Sequence, residues 1–373
     1  MILKNVCFYN EVFEKEIADL RIENGIIDEI GVIDEPGRDM SGLTAFPGFV
    51  DIHIHGGNGG DFSDASEEAV DKISRYLAKC GVTSFCGTSM TLDNETLTKI
   101  VKCAKEYKGR ESGAKLAGIN LEGPFLSYAK KGAQNGAFVR AGTLQEFNQL
   151  FIESGELVKL ITIAPEAFES EAFIKEASKK CVVAIGHTSA NAEQAQKAID
   201  FGITHATHLY NAMTGMTHRE AGVVGTVMDN EKVMCELVCD GGHVCPAVVR
   251  NTFRILGENR VCVISDSMRG AGLGAGEFDL GGQKTYVYEG GKFAVLEDGT
   301  IAASITNVFD EFKNLLAFGV DFKSALKSCP INPAKAIGLQ HKIGSIAPNK
   351  DADIIFVDEQ MNIKEVYING ILA

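Results

Sequence analysis

The sequence predicts an α/β fold: a (β/α)8 barrel in the middle of the chain, with β-structure at both ends. Three observations predict it. The middle alternates short apolar strands with helical stretches. Chemically capable polar residues recur at the C-terminal ends of those strands. Both chain ends show short alternating segments broken by turn signals.

The elements follow in order. Residues 1 to about 45 hold "LKNVCFYN" and "ADLRIENGIIDEIG", in which Asn24-Gly25 between apolar runs marks a hairpin. Eight strand candidates come next: "GFVDIHI", "VTSFCGT", "LAGINLE", "VKLITIA", "CVVAIGH", "THATHL", "VMCELVCD" and "RVCVISD". Helical patterns such as "SEEAVDKISRYLAKC" and "NAEQAQKAIDFG" separate most of them. Eight such units fit a (β/α)8 barrel, although a doubly wound open sheet would show the same alternation. The chain closes with "GSIAPNKDADIIFVDE" and "IKEVYINGILA", where Asn369-Gly370 marks a second hairpin. We therefore divide the chain into a β domain, residues 1–45 with 340–373, and a barrel, residues 46–339.

Composition excludes several classes. Of 373 residues, 45% are apolar, so a large core can form, yet no run of about 18 apolar residues predicts a membrane span. The start, "MILKNVCFYNEVFEKE", lacks a basic segment followed by a long apolar run, so it does not read as a secretory signal. A net charge of -14 argues against nucleic acid as a partner. The ten cysteines show no C-x-x-C spacing, and several lie in apolar strands, which fits free thiols in a reducing cytoplasm.

The strand ends carry the chemistry. In a parallel barrel they share one face, where barrel enzymes build their sites. His53 and His55 are two apart on a strand and so point to the same side, where both imidazoles reach one metal ion. Alone, the pair equally describes two buried histidines bonded to backbone. Glu122 in "NLEGPF" ends its strand at Gly123-Pro124 and offers a hard oxygen ligand or a general base; alone it reads as a turn residue. His187 and His208 each follow a strand and suit a transition ion. His205 lies three residues before His208, on the opposite face of an extended strand, and is read as a supporting histidine. Asp266 in "RVCVISDS" is placed to take a proton from water and deliver it to a leaving group, or else to cap a helix. "GAGLGA" lacks the following helix a dinucleotide site needs, "HGGNGG" reads as a turn, and "AKKG", with Lys130 and Lys131, reads as solvated surface or else as a substrate-facing loop. No G-x-S-x-G elbow is present.

Taken together, "FPGFVDIHIHG", "LEGPF", "KKGAQ", "IGHTSA", "ATHLYNAM", "CDGGHV", "ISDSM", "LEDGTIAAS", "NPAKAIGL" and "GSIAPNKDADI" resemble the amidohydrolase superfamily, and within it the N-acetylglucosamine-6-phosphate deacetylases. The resemblance spans nearly the whole chain. It implies a (β/α)8 TIM barrel with a small β-sandwich built from both termini. It implies that Glu122, His187 and His208 bind the principal metal, that His53 and His55 supply a second metal site, and that Asp266 is the catalytic aspartate. One or two divalent transition ions per chain follow, with zinc, iron, manganese and cobalt all open. The implied substrate is an amino-sugar phosphate: acetate leaves N-acetyl-D-glucosamine 6-phosphate in amino-sugar catabolism and cell-wall sugar recycling. Asn211 and the Ala212 amide match phosphate contacts, Arg219 matches a phosphate-binding arginine, and His243 matches a substrate-binding histidine. A homodimer is implied, with the partner chain completing the pocket. Gln134 stands where some members carry a substrate-touching histidine; "TIAASITNVFDEF" departs from the family pattern, and Arg269 has no assignment. The rival readings are an N-acetylgalactosamine-6-phosphate deacetylase and a non-catalytic sugar-phosphate-binding protein. A cyclic amidase fits less well, because "VKLITIAPE" ends without the metal-bridging lysine.

Overall fold

Eight parallel strands form the central sheet of the computed structural model, which describes residues 1–373. In order they are Phe49–Ile54, Val82–Ser89, Lys115–Glu122, Val158–Ile163, Val182–Ile185, His205–Ala206, Met234–Leu237 and Val261–Val263. Neighbours in sequence are neighbours in space throughout. The open side is drawn together just past the eighth strand, where the Asp266 amide donates to the His53 carbonyl at 2.9 Å. The barrel reading therefore holds and the open doubly wound sheet does not. Each strand is buried on nearly every residue, as expected for parallel strands covered on both faces.

The helices between strands follow from their patterns. Glu67–Lys79 places Val70, Ile73 and Leu77 on one buried stripe. Ala192–Phe201 begins with a capping box between Asn191 and Gln194 and stops at Gly202. "THATHL" leaves the shortest barrel strand: only His205 and Ala206 pair, and the chain turns sharply at His208, which has a φ of 28°.

The two chain ends meet in one eight-stranded sheet, in which Ile354–Val357 pairs antiparallel with Thr44–Pro47. Both Asn-Gly hairpins form there, with left-handed φ at Asn24, Gly25, Asn369 and Gly370. After the eighth barrel strand, "GEFDLGGQKTYVY", whose pattern reads as turn and strand, does form strands: residues 276–304 build a four-stranded antiparallel sheet, turning first at Gly281-Gly282. It brings residues 300–302 over the barrel mouth. All ten cysteines are free, and no helix is long and apolar enough to cross a membrane.

Candidate active site

A cavity of about 430 Å³ opens at the C-terminal ends of the barrel strands. His55, Glu122, His187, His208 and Asp266 line it, joined by Gln134, Asn211, Ala212 and His243. His187, His208 and Asp266 all take left-handed φ values, 45°, 28° and 48°. A non-glycine residue pays about 1–2 kcal/mol for that conformation, so the surrounding structure holds these turns against strain.

Two clusters lie side by side. Glu122, His187 and His208 form one; His53, His55 and Asp266 form the other. In the first, Glu122 Oε1 is 3.0 Å from His187 Nε2 and 2.8 Å from His208 Nε2. In the second, Asp266 Oδ1 is 3.5 Å from His53 Nε2 and 3.3 Å from His55 Nε2. Glu122 reaches both, since its Oε2 is 3.3 Å from His55 Nε2.

The hydrogen bonds behind the imidazoles decide what these nitrogens present. His187 Nδ1 faces the Lys130 carbonyl at 2.8 Å, His55 Nδ1 the Thr88 carbonyl at 3.2 Å, and His53 Nδ1 the Glu236 carboxylate at 2.9 Å. Carbonyls and carboxylates only accept, so each Nδ1 carries a proton, and each ring when neutral turns an Nε2 lone pair inward. His53 Nε2 is buried with no hydrogen-bond partner. Two imidazole nitrogens and a carboxylate oxygen, twice over, are a donor set for divalent transition ions, and the residues fit. His208 is fixed differently: its Nδ1 has no partner, and its amide donates to Glu236 Oε2 at 3.0 Å.

Electrostatics match the crowding of charge. Burial pushes His55 down, but Asp266 and Glu122 outweigh it and raise it to about 9. His53 is likewise driven up by Glu236, Glu122 and Asp266 against its burial. Burial pushes Glu122 and Asp266 up, yet the histidines hold both below the usual carboxylate range.

The structure sorts the remaining expected contacts. His243 donates from Nδ1 to Asp240 Oδ2 at 2.7 Å and sits at the cavity wall. The Ala212 amide takes part in no hydrogen bond. Gln134 lines the cavity, but its amide is engaged: Nε2 donates to Glu122 Oε2 at 2.6 Å and Oε1 accepts from the Thr91 amide at 2.7 Å. Arg219 is not brought to the cavity; it is exposed on the loop before the Gly222–Asp229 helix. Of the two readings of "AKKG", the substrate-facing loop fits Lys130: the half-buried residue lines the cavity, and its carbonyl accepts from His187. It is the one lysine or arginine in that wall. Arg269 ties the loop after the first strand to the antiparallel sheet, bonding Asp64 and the Asp279 carbonyl at 2.8 Å each. Sequence reasoning missed Glu236, although a glutamate inside the apolar "VMCELV" was its signal.

An amidohydrolase family model matches residues 44–372. The chain is 35% identical over 333 residues to N-acetylglucosamine-6-phosphate deacetylase of Bacillus subtilis (strain 168), covering 88% of this chain and 84% of that protein. It is 30% identical over 357 residues to N-acetylgalactosamine-6-phosphate deacetylase of Escherichia coli O157:H7, covering 95% and 94%. The crystal structure of N-acetylglucosamine-6-phosphate deacetylase from Pasteurella multocida superposes with a TM-score of 0.93 at 27% identity, covering 100% of this chain and 99% of that one.

Proposed function

The chain belongs to the amidohydrolase family, and on that footing we propose that it hydrolyses the acetamide of N-acetyl-D-glucosamine 6-phosphate to D-glucosamine 6-phosphate and acetate. The observation that carries this reading is the pair of imidazole–carboxylate clusters sharing Glu122, with Asp266 at the cavity edge. Glu122, His187 and His208 hold the principal ion, and His53, His55 and Asp266 hold a second. A divalent transition ion in such a site supplies Lewis acidity, polarising a carbonyl oxygen and acidifying water.

The chain's own residues do the rest. Asp266 accepts a proton on its carboxylate from the attacking water and returns it to the departing amine nitrogen, whose bond to the acetyl carbon breaks. Its carboxyl lies below the usual carboxylate range despite its burial, and an ionised group is what an acceptor requires. His243, held by Asp240 with its Nε2 free, accepts from a sugar hydroxyl. The free Ala212 amide and Lys130 face the phosphate, with Asn211 shaping the turn: its side chain donates to the His208 carbonyl at 3.2 Å. Gln134, both ends occupied, orients Glu122 rather than the substrate carbonyl.

Arg219 serves a second copy of the chain. It is exposed, forms no ion pair and stands outside its own cavity, as a residue donated to a partner's pocket in a homodimer would. We place the enzyme in the cytoplasm, where ten free thiols are stable.

Acetate release is the test. The 6-phosphate of N-acetylglucosamine should be the best substrate and its unphosphorylated form much poorer. Equal or better turnover of the N-acetylgalactosamine 6-phosphate would favour the other reading, which the Escherichia coli relative supports. No acetate from either sugar phosphate would overturn the assignment.

A further inference from the structure

Glu236 lies on the seventh barrel strand and is fully buried. Three nitrogens converge on its carboxylate. His53 Nδ1 is 2.9 Å from Oε2, the His208 amide is 3.0 Å from the same oxygen, and His205 Nε2 is 3.2 Å from Oε1. The Glu236 backbone joins in, its carbonyl accepting from Leu209 at 2.8 Å. One residue thus grips the first strand, which carries His53, and the turn that carries His208.

The chemistry of these contacts is one-directional. An ionised carboxylate has only lone pairs to offer, so the nitrogens facing it must carry hydrogens. His53 is thereby fixed with its proton on Nδ1. Its Nε2 is left buried, without a hydrogen-bond partner, 3.5 Å from Asp266 Oδ1 and 3.6 Å from Glu122 Oε1. The negative charge behind the ring also makes that lone pair more basic. His205 occupies the other oxygen and stops the carboxylate from rotating.

We propose that Glu236 is the positioning residue of the His53/His55/Asp266 half of the site, fixing the tautomer and orientation of His53 so that this half binds a divalent transition ion. The proposal rests on the two-cluster metal reading above, and goes beyond it by making the second ion's affinity depend on a residue that touches neither ion nor substrate.

The test counts metal. Holoprotein is dialysed against buffers of graded free Zn²⁺, and zinc per chain is measured for the wild type and Glu236→Gln. The wild type should hold two ions. The variant should keep one and need roughly 10- to 100-fold more free zinc for the second. Loaded with Mn²⁺, the wild type should give the spin-coupled resonance of two neighbouring ions and the variant that of an isolated ion. A second ion bound equally tightly by both proteins overturns the proposal and leaves the deacetylase reading standing. A wild type with a single ion also overturns it. A wild type that binds none overturns the metal reading as well. Should Glu236→Gln fail to fold, the zinc-loaded wild type still decides: imidazole ¹⁵N shifts, with His53 assigned through His53→Asn, must show the proton on Nδ1 and zinc on Nε2. A His53 ligated through Nδ1 overturns the proposal.

Discussion

The two halves of the site hold the same donor set by different means. His53 lies near the end of the first barrel strand and His55 directly follows its last residue, so the strand's end aims both rings, and Glu236 and the Thr88 carbonyl fix their tautomers. His187 and His208 sit beyond their strands in left-handed turns, and only His187 has an Nδ1 partner. The imidazoles of one half are aimed from the end of a strand; those of the other are aimed by strained loops that the fold must hold in place, as Asp266 also is. A strained turn needs the rest of the fold to hold it, and such conformations gather at functional sites.

The sharpest way to break this comparison is to remove one ligand from each half. His187→Asn should take activity to background and lower the metal count to one or none. His53→Asn should remove one ion and leave measurable acetate release, because Glu122, His187 and His208 remain. Metal analysis paired with the acetate assay checks both; a dead His53→Asn beside an active His187→Asn would reverse the assignment of the principal ion. Next in size, Asp266→Asn should lower kcat by about 10²- to 10⁴-fold while KM changes little, because it removes the proton acceptor and not the sugar contacts. A variant within tenfold of wild type would show that another group accepts the proton.

A smaller effect separates the polar wall from both halves. Lys130 lines the cavity and its carbonyl fixes His187, so on the proposed function its backbone serves one ligand and its ammonium the phosphate. Lys130→Ala keeps the carbonyl. KM for the phosphorylated sugar should rise about tenfold with kcat nearly unchanged, the mark of a lost charge-assisted contact. Steady-state kinetics on the phosphorylated and unphosphorylated sugars check this, since only the former should respond.

The sequence displays some of these features and hides others for physical reasons. Strand identity was legible because parallel barrel strands are apolar on both faces, and all eight candidates form strands. His53 and His55 were legible because a two-residue spacing at a strand's end puts both at one mouth, and both join one cluster although His55 lies just past the strand. His205 was read by strand parity, but its strand ends at Ala206, so parity does not govern it; the ring nonetheless supports from behind, through Glu236. Lys130 stayed open between solvated surface and substrate-facing loop because a lysine pair beside glycine looks solvated, and only the long-range bond from His187 to its carbonyl ties the loop to the cavity. Arg219 illustrates the reverse: its motif points to a pocket, yet nothing in a linear chain says whose. Glu236 stayed hidden because its partners, His53 and His205, lie 183 and 31 residues away.

The least visible effect belongs to a buried acid outside both halves. Glu311 lies on the helix Val308–Phe318, fully buried, with Oε2 accepting from the Cys239 amide and Oε1 unpartnered. Burial pushes its carboxyl well above the ordinary 4.5, and the nearby Asp240 adds to the rise. The folded chain therefore keeps a proton on Glu311 that the unfolded chain has released. Above the ordinary carboxylate range the folded state binds more protons, so stability falls as pH rises, until the folded group ionises. For one proton the slope is at most about 1.4 kcal/mol per pH unit. Glu311→Gln replaces the carboxyl with a neutral group of the same shape that can still accept from Cys239, and it removes the slope whatever constant offset it adds. Melting curves between pH 5 and 8 should show the wild-type Tm dropping relative to the variant as pH rises. Parallel curves would mean that Glu311 ionises in the folded protein as it does in the unfolded one. The barrel would then carry a buried negative charge between Cys239 and Asp240, close behind the residue that holds His243.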